Sequence, residues 1–179
     1  MADEIVELQP PLAESDVRSL GVGQHVRITG VVYTARDMAH RRLCEAIEAG
    51  EELPFDLEGA VIYFVGPTPA RPGRVIGAAG PTTSSRMDPF SPKLIARGLR
   101  AMIGKGYRGS GVRQALKRYG AVHLAATGGA AALLSRHIVA AEVIAYEDLG
   151  TEAIRRLEVR GLPAVVAYDA AGRSVYGKR

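Results

Sequence analysis

The run AVIYFV, Ala60 to Val65, places six apolar or aromatic side chains in succession and stops at Gly66-Pro67. A strand facing water on one side would alternate, so this one must be covered on both faces, as in sheets held between other layers. HVRITGVVYTA predicts a strand from Val26 to Thr34, short, β-branched and bounded by turn residues. ARDMAHRRLCEAIEAG follows it as a helix from Arg36 to Ala49, stopped by Gly50. RVIGAAG predicts a third strand around Val75 to Ala79, and SPKLIARGLRAMI a helix capped by Ser91 with proline at its first position, broken by IGKG. Next come a short helix over GSGVRQALKRYG, a strand at Ala121 to Ala126 and a Gly-started, Ala-rich helix over GGAAALLSRHI. A strand near Val143 to Tyr146 and a helix from Thr151 to about Val159 lead to a terminal hairpin in which VVAY and RSVY flank DAAG. Repeated strand-then-helix units argue for an α/β architecture with a mainly parallel sheet plus antiparallel strands. Residues 1–24, with Pro10-Pro11 and a short helix over Ser15 to Leu20 capped by Ser15, read as a loosely folded N-terminal arm, leaving 25–179 as one domain.

A chain of 179 residues, 47% of them apolar, can fill such a core without disulfides. Cys44 is the only cysteine, so the chain can neither staple itself nor supply a Cys-rich metal site. An acidic, polar start and the lack of any apolar segment of about eighteen residues lead to the expectation of a cytoplasmic protein without a membrane partner. The charge is uneven. Eleven basic residues lie between Arg71 and Arg118 against the single acid Asp88, while the remainder holds 12 basic and 18 acidic residues. Such a field attracts a polyanion, or it marks the wet faces of helices. Trp is absent and the other aromatics do not interleave with the basic run, so nucleic acid is not an expected partner.

Three loops carry candidate chemistry: TARDMAH after the first strand, GPTTSSRMDP after the expected third, and MIGKG within the basic run. Ligands gather at the carboxyl ends of parallel strands. If the loops leave one end of the sheet, Arg36, Thr82, Thr83, Arg86 and Lys105 converge. Guanidinium forks grip carboxylates with paired hydrogen bonds, an ammonium adds a point charge, and hydroxyls both donate and accept, so the group reads as an anion site. Asp37 and His40, three apart on a helix, read as supporting residues, as does Asp88, which orders the turn or holds Arg86. GKG is too short for a phosphate-binding P-loop. His25, His123 and His137 lack metal-ligand spacing, and Cys44 reads as a core residue.

ARDMAH, GPTTSSRMDPF, MIGKG, the glycine pair at Gly128, the EDLG turn at Glu147 and the closing LPAVVAYDAAGRSVY hairpin occur in an order that resembles the beta-type subunit, or C-terminal catalytic domain, of the class I fumarase and L-tartrate dehydratase family of iron-sulfur hydro-lyases. The resemblance implies a swivelling β/β/α three-layer domain. It also implies reversible hydration of a small dicarboxylate, fumarate and L-malate being the leading pair, in an active site shared with an alpha subunit. That partner would hold a [4Fe-4S] cluster that this chain does not ligate, and the implied assembly is a heterotetramer of two alpha and two beta subunits. Carried over by residue, Arg36, Thr82, Thr83, Arg86 and Lys105 match substrate-contacting positions, with Thr82 or Thr83 in proton transfer and Lys105 beside it. An aliphatic hydroxyl is a poor base unless positive charge favours its ionised form, which Lys105 and the arginines would supply. Ser85 stands where related chains commonly carry a smaller residue, which keeps an L-tartrate dehydratase as the alternative. A non-enzymatic binding or regulatory subunit is the alternative from another class.

Overall fold

A computed structural model describes residues 4–126 and 131–177. Its sheet begins with β1 (Val6–Leu8) and β2 (His25–Thr34), continues through β3 (Val61–Tyr63), β4 (Ala101–Gly104) and β5 (Val122–Ala126), and closes with β6 (Ile138–Ala145) and β7 (Ile154–Tyr168). Helices α1 (Glu14–Arg18), α2 (Asp37–Glu48), α3 (Ser91–Ala96), α4 (Ser110–Tyr119) and α5 (Ala131–Ser135) connect them. The strand order is β1-β2-β3-β4-β5-β7-β6, with a further pairing of β2 to β7. That pairing closes β2, β3, β4, β5 and β7 into a barrel-like ring. Pairings from β1 through β5 are parallel, and those made by β7 are antiparallel.

The alternation hidden in the apolar run becomes visible in the packing. Val61, Tyr63, Ala101, Ile103, Val122 and Leu124 face an inner core shared with β2 and β7. Ile62, Phe64 and Met102 face the opposite way, onto Leu43 of α2, Leu94 of α3 and Leu116 of α4. Two sheet walls and a helical layer therefore give the β/β/α arrangement, and both faces of β3 and β4 are dry because each has a core of its own. Among the described residues no helix is long and apolar enough to cross a membrane.

Several local expectations give way. Residues 6–20 are not loose: β1 pairs with β2, and Leu8, Leu12, Val17 and Leu20 are buried. The first helix starts at Glu14, and Ala13 rather than Ser15 occupies its cap position, with Asp16 accepting the Ala13 N–H at 2.8 Å. No strand forms at 75–79, because both edges of β3 are already taken by β2 and β4. The residues AMIG, expected within a helix, are β4, and α3 stops at Ala96. Ser91 does not cap that helix. It is the first helical residue and donates its hydroxyl to the Met87 carbonyl at 3.0 Å. The expected helix from Thr151 is an irregular turn, Glu147–Glu152, followed by the fifteen residues of β7. The terminal hairpin survives as a turn with one antiparallel bridge, Tyr168 to Ser174. Gly128, the expected helix start, lies outside the described residues.

Candidate functional site

β2, β3 and β4 run parallel, so the residues that follow their last positions emerge together. After β2, Ala35 is buried and Arg36 takes the extended cap position of α2. The Arg36 carbonyl accepts the His40 main-chain N–H at 2.9 Å and the His40 Nδ1–H at 2.8 Å. His40 is fully buried, edge-on to Phe64 at 5.2 Å, and burial pushes its ring down to about 4, so it is neutral at pH 7. A neutral imidazole walled in by two phenylalanines is a brace for the Arg36 backbone rather than a group open to substrate. The Arg36 side chain lies along Gly66: a Cβ there would sit 3.0 Å from Nη1 and 3.1 Å from Cδ.

Asp37 joins the first loop to the second. Its Oδ1 accepts the Arg86 Nε–H at 3.0 Å, and its Oδ2 lies 3.9 Å from Arg36 Nε. Arg36 Nε and Asp37 Oδ2 are both buried and make no hydrogen bond to a protein group. One carboxylate thus stands between two guanidiniums without saturating either, and Arg86 remains 51% exposed.

The second loop is docked on the ends of β3 and β4. Residues 66–82 are tethered by the Thr68 N–H to the Ala78 carbonyl at 3.1 Å and by the buried Tyr63 hydroxyl donating to the Ala79 carbonyl at 2.5 Å. The Thr82 N–H then donates to the Phe64 carbonyl at 2.7 Å, Thr83 forms a parallel bridge with Lys105, and the Ser84 N–H donates to the Lys105 carbonyl at 2.8 Å. A short 3-10 turn, Ser84–Met87, anchored by buried Ser84 and Met87, delivers Arg86 towards Asp37. Thr82 is half-buried, while Thr83 and Lys105 are exposed. The loops of all five anion-site candidates are therefore connected: Arg36 and Arg86 through Asp37, Thr83 and Lys105 through the main chain, and Thr82 beside them.

Asp88 serves a different partner from the one anticipated. Its Oδ1 accepts the Arg108 Nε–H at 2.8 Å and its Oδ2 accepts the Gly109 N–H at 2.7 Å, while Asp37 holds Arg86. Arg108, read only as part of the basic run, is 4% exposed. The signal available was Asp88 itself, the lone acid among eleven cations, which needs a partner but does not say which. The turn at Glu147–Glu152 braces α2 from outside: Glu152 accepts the Met38 N–H at 3.3 Å, and Arg42 grips Asp148 with two bonds of 2.8 and 2.6 Å.

Chemically, three cations and two hydroxyl-bearing residues lie on connected loops at neighbouring strand ends, with Asp37 between two of the cations, an arrangement that favours a carboxylate-rich ligand. A groove of about 450 Å³ lined by Pro67, Thr68, Val143, Thr151 and Arg155 holds none of the five. Among the described residues no group of three His, Cys, Asp or Glu side chains is placed to hold a metal ion. Cys44 is buried in α2 with its Sγ 3.7 Å from the Phe90 carbonyl. These residues do not fit as ligands of an iron-sulfur cluster.

The family profile described as Fumarase C-terminus matches residues 2–179. A putative fumarate hydratase class I of Geobacillus stearothermophilus is 38% identical over 96% of this chain and 34% of its own length. The anaerobic fumarate hydratase class I of Escherichia coli strain K12 is 35% identical over 96% of this chain and 32% of its own. A putative L(+)-tartrate dehydratase subunit beta of Methanocaldococcus jannaschii is 38% identical over 92% of this chain and 88% of its own. The chain thus spans about a third of the fumarases and most of the tartrate dehydratase subunit. On this evidence the chain belongs to the class I fumarase and tartrate dehydratase family, as its C-terminal, beta-type catalytic domain.

Proposed function

We propose that this chain is the beta subunit of a class I fumarate hydratase and that, with an alpha subunit carrying a [4Fe-4S] cluster, it interconverts fumarate and L-malate. The observation that carries this reading is Asp37 standing between Arg36 and Arg86, on the same strand ends where Thr83 is bridged to Lys105. Asp37 orients the two guanidiniums yet leaves donors free for a substrate carboxylate. In the dehydration direction the carbon beside that carboxylate gives its proton to Thr82 or Thr83, and the hydroxyl leaves from the neighbouring carbon. Hydration reverses both transfers. As the proton leaves, negative charge spreads onto the carboxylate, where Arg36, Arg86 and Lys105 stabilise it. The same cations favour the ionised threonine hydroxyl that accepts the proton. Activation of the departing hydroxyl falls to the partner, since the described residues place no metal-binding group and the single cysteine, Cys44, is buried in a helix.

The near full-length match to a protein named as a tartrate dehydratase subunit beta favours the second reading, that of an L-tartrate dehydratase. The exposed Ser85 would offer the added hydroxyl a hydrogen-bond partner. Anaerobic co-expression with the cluster-bearing subunit, followed by parallel assays on fumarate, L-malate and L-tartrate, separates the two. Fumarate and L-malate turnover is expected, and a large preference for tartrate would displace it. A stable, cluster-free monomer with no dehydratase partner would instead support a binding or regulatory role.

A further inference from the structure

We propose that Arg108 is a positioning residue for this site. Its buried guanidinium, acting through Asp88, keeps the turn bearing Thr82, Thr83 and Arg86 in register with Lys105. The inference rests on the functional reading above for its catalytic consequence, though not for its mechanical one.

The Arg108 fork is used on every side. Nε donates to Asp88 Oδ1 at 2.8 Å, Nη2 to Ser91 Oγ at 2.6 Å, and Nη1 to His123 Nδ1 at 3.2 Å and Met102 Sδ at 3.4 Å, with its plane 5.3 Å over the Phe64 ring. Its main-chain N–H donates to the Tyr168 hydroxyl at 2.9 Å. His123 can accept that bond only as a neutral ring, and burial holds its pKa well below the ordinary value. Asp88 closes the clamp by taking the Gly109 N–H at 2.7 Å. Ser91 passes the constraint back to the turn, because its hydroxyl donates to the Met87 carbonyl at 3.0 Å.

Position gives this network its meaning. The catalytic turn meets the Lys105 segment at Thr83 and Ser84, where the main chains pair. Thr82 and Arg86 hold the turn to Phe64 and Asp37, but towards the Lys105 segment this one attachment leaves it free to pivot. Asp88, at the far end of the turn, meets Arg108 and Gly109, just beyond Lys105, and a second point turns the pivot into a fixed plate. Stability alone does not call for it, since buried ion pairs are often replaceable by apolar side chains without loss. Lysine would keep the charge but could not reach Asp88, Ser91 and His123 at once.

The test uses the full chain assembled with its cluster-bearing partner, carrying Arg108→Met, Arg108→Lys or the milder Asp88→Asn. Two readouts are taken: kcat and KM with fumarate, L-malate and L-tartrate, and hydrogen exchange of the amides in 82–88 and 105–109. Arg108→Met is expected to speed exchange in both segments while leaving β6 and α2 unchanged, and to lower kcat about 10- to 100-fold with a smaller change in KM. Arg108→Lys should fall between, and adding Asp88→Asn to Arg108→Met should cost nothing further, because the pair acts as one unit. Wild-type exchange in those segments overturns the proposal, as does faster exchange with unchanged kcat. If Arg108→Met does not fold, Asp88→Asn is judged by the same criteria. If the wild-type assembly turns over none of the three acids, the functional reading fails and the exchange data alone decide the positioning role.

Discussion

Gly104, the last residue of β4, offers the sharpest test of how the Ser84–Met87 turn is seated. A Cβ at this position would lie 2.1 Å from Ser84 Oγ, 2.9 Å from Phe64 Cδ2 and 3.3 Å from Ser84 Cβ, whereas a real Cβ essentially never approaches a heavy atom within 3.0 Å. Ser84 is fully buried and its hydroxyl makes no hydrogen bond to a protein group, so it can swing aside only into packed neighbours. Phe64, also buried, must then shift by a few tenths of an ångström. Overpacking of this kind costs about 1 to 3 kcal/mol, against which alanine regains about 0.4 to 1 kcal/mol by restricting the unfolded chain. The net loss for Gly104→Ala is about 1 to 2 kcal/mol, or about 2 to 8 °C in Tm for a chain of this size. Calorimetric melting of the full chain measures it. Ser84→Ala alone should be neutral or stabilising, since it deletes a buried hydroxyl without a partner, and combined with Gly104→Ala it should recover most of the loss. A Gly104→Ala melting point at or above wild type, or failure of Ser84→Ala to rescue it, would refute the close packing of the turn on β4.

Other expectations concern charge and burial. In the reconstituted enzyme, Arg86→Met should lower kcat/KM about 30- to 1000-fold, the equivalent of about 2 to 4 kcal/mol, and near-normal kinetics would defeat its place in the clamp. His40 titrates at about 4 when folded against an ordinary 6.5. Between those values the unfolded chain binds a proton that the folded chain does not, so stability is lost as pH falls from about 6.5, by about 2 kcal/mol at pH 5. His40→Gln should remove that component while His123 keeps its own, and identical urea-melt differences between pH 7 and pH 5 in the two proteins would contradict it. Burial also pushes the Cys44 thiol up, so a thiol reagent should label it no faster than the chain opens. Rapid labelling of the folded protein would count against its packed position.

The sequence alone determined what short-range physics controls. β2, α2, β3 and α4 are legible because a β-branched or wholly apolar run, a helical apolar face or a flanking glycine marks each within a few residues. The five anion-site candidates were proposed from cations and hydroxyls clustered in three loops, and the structure connects those loops through Asp37 and the Thr83–Lys105 bridge. The tertiary structure decided what depends on being covered. Ile154 and Leu157, three apart and both apolar, imitate a helix face, yet in β7 they point to opposite cores, a pattern possible only because both sides of the sheet are dry. AMIG has too few residues to show a period, and 75–79 has strand composition while both edges of β3 are taken by β2 and β4. The choice of Asp37 for Arg86 and of Arg108 for Asp88 lies equally beyond local reading. Opposite charges attract without regard to sequence distance, so only the path of the chain through space selects which of many cations each carboxylate meets.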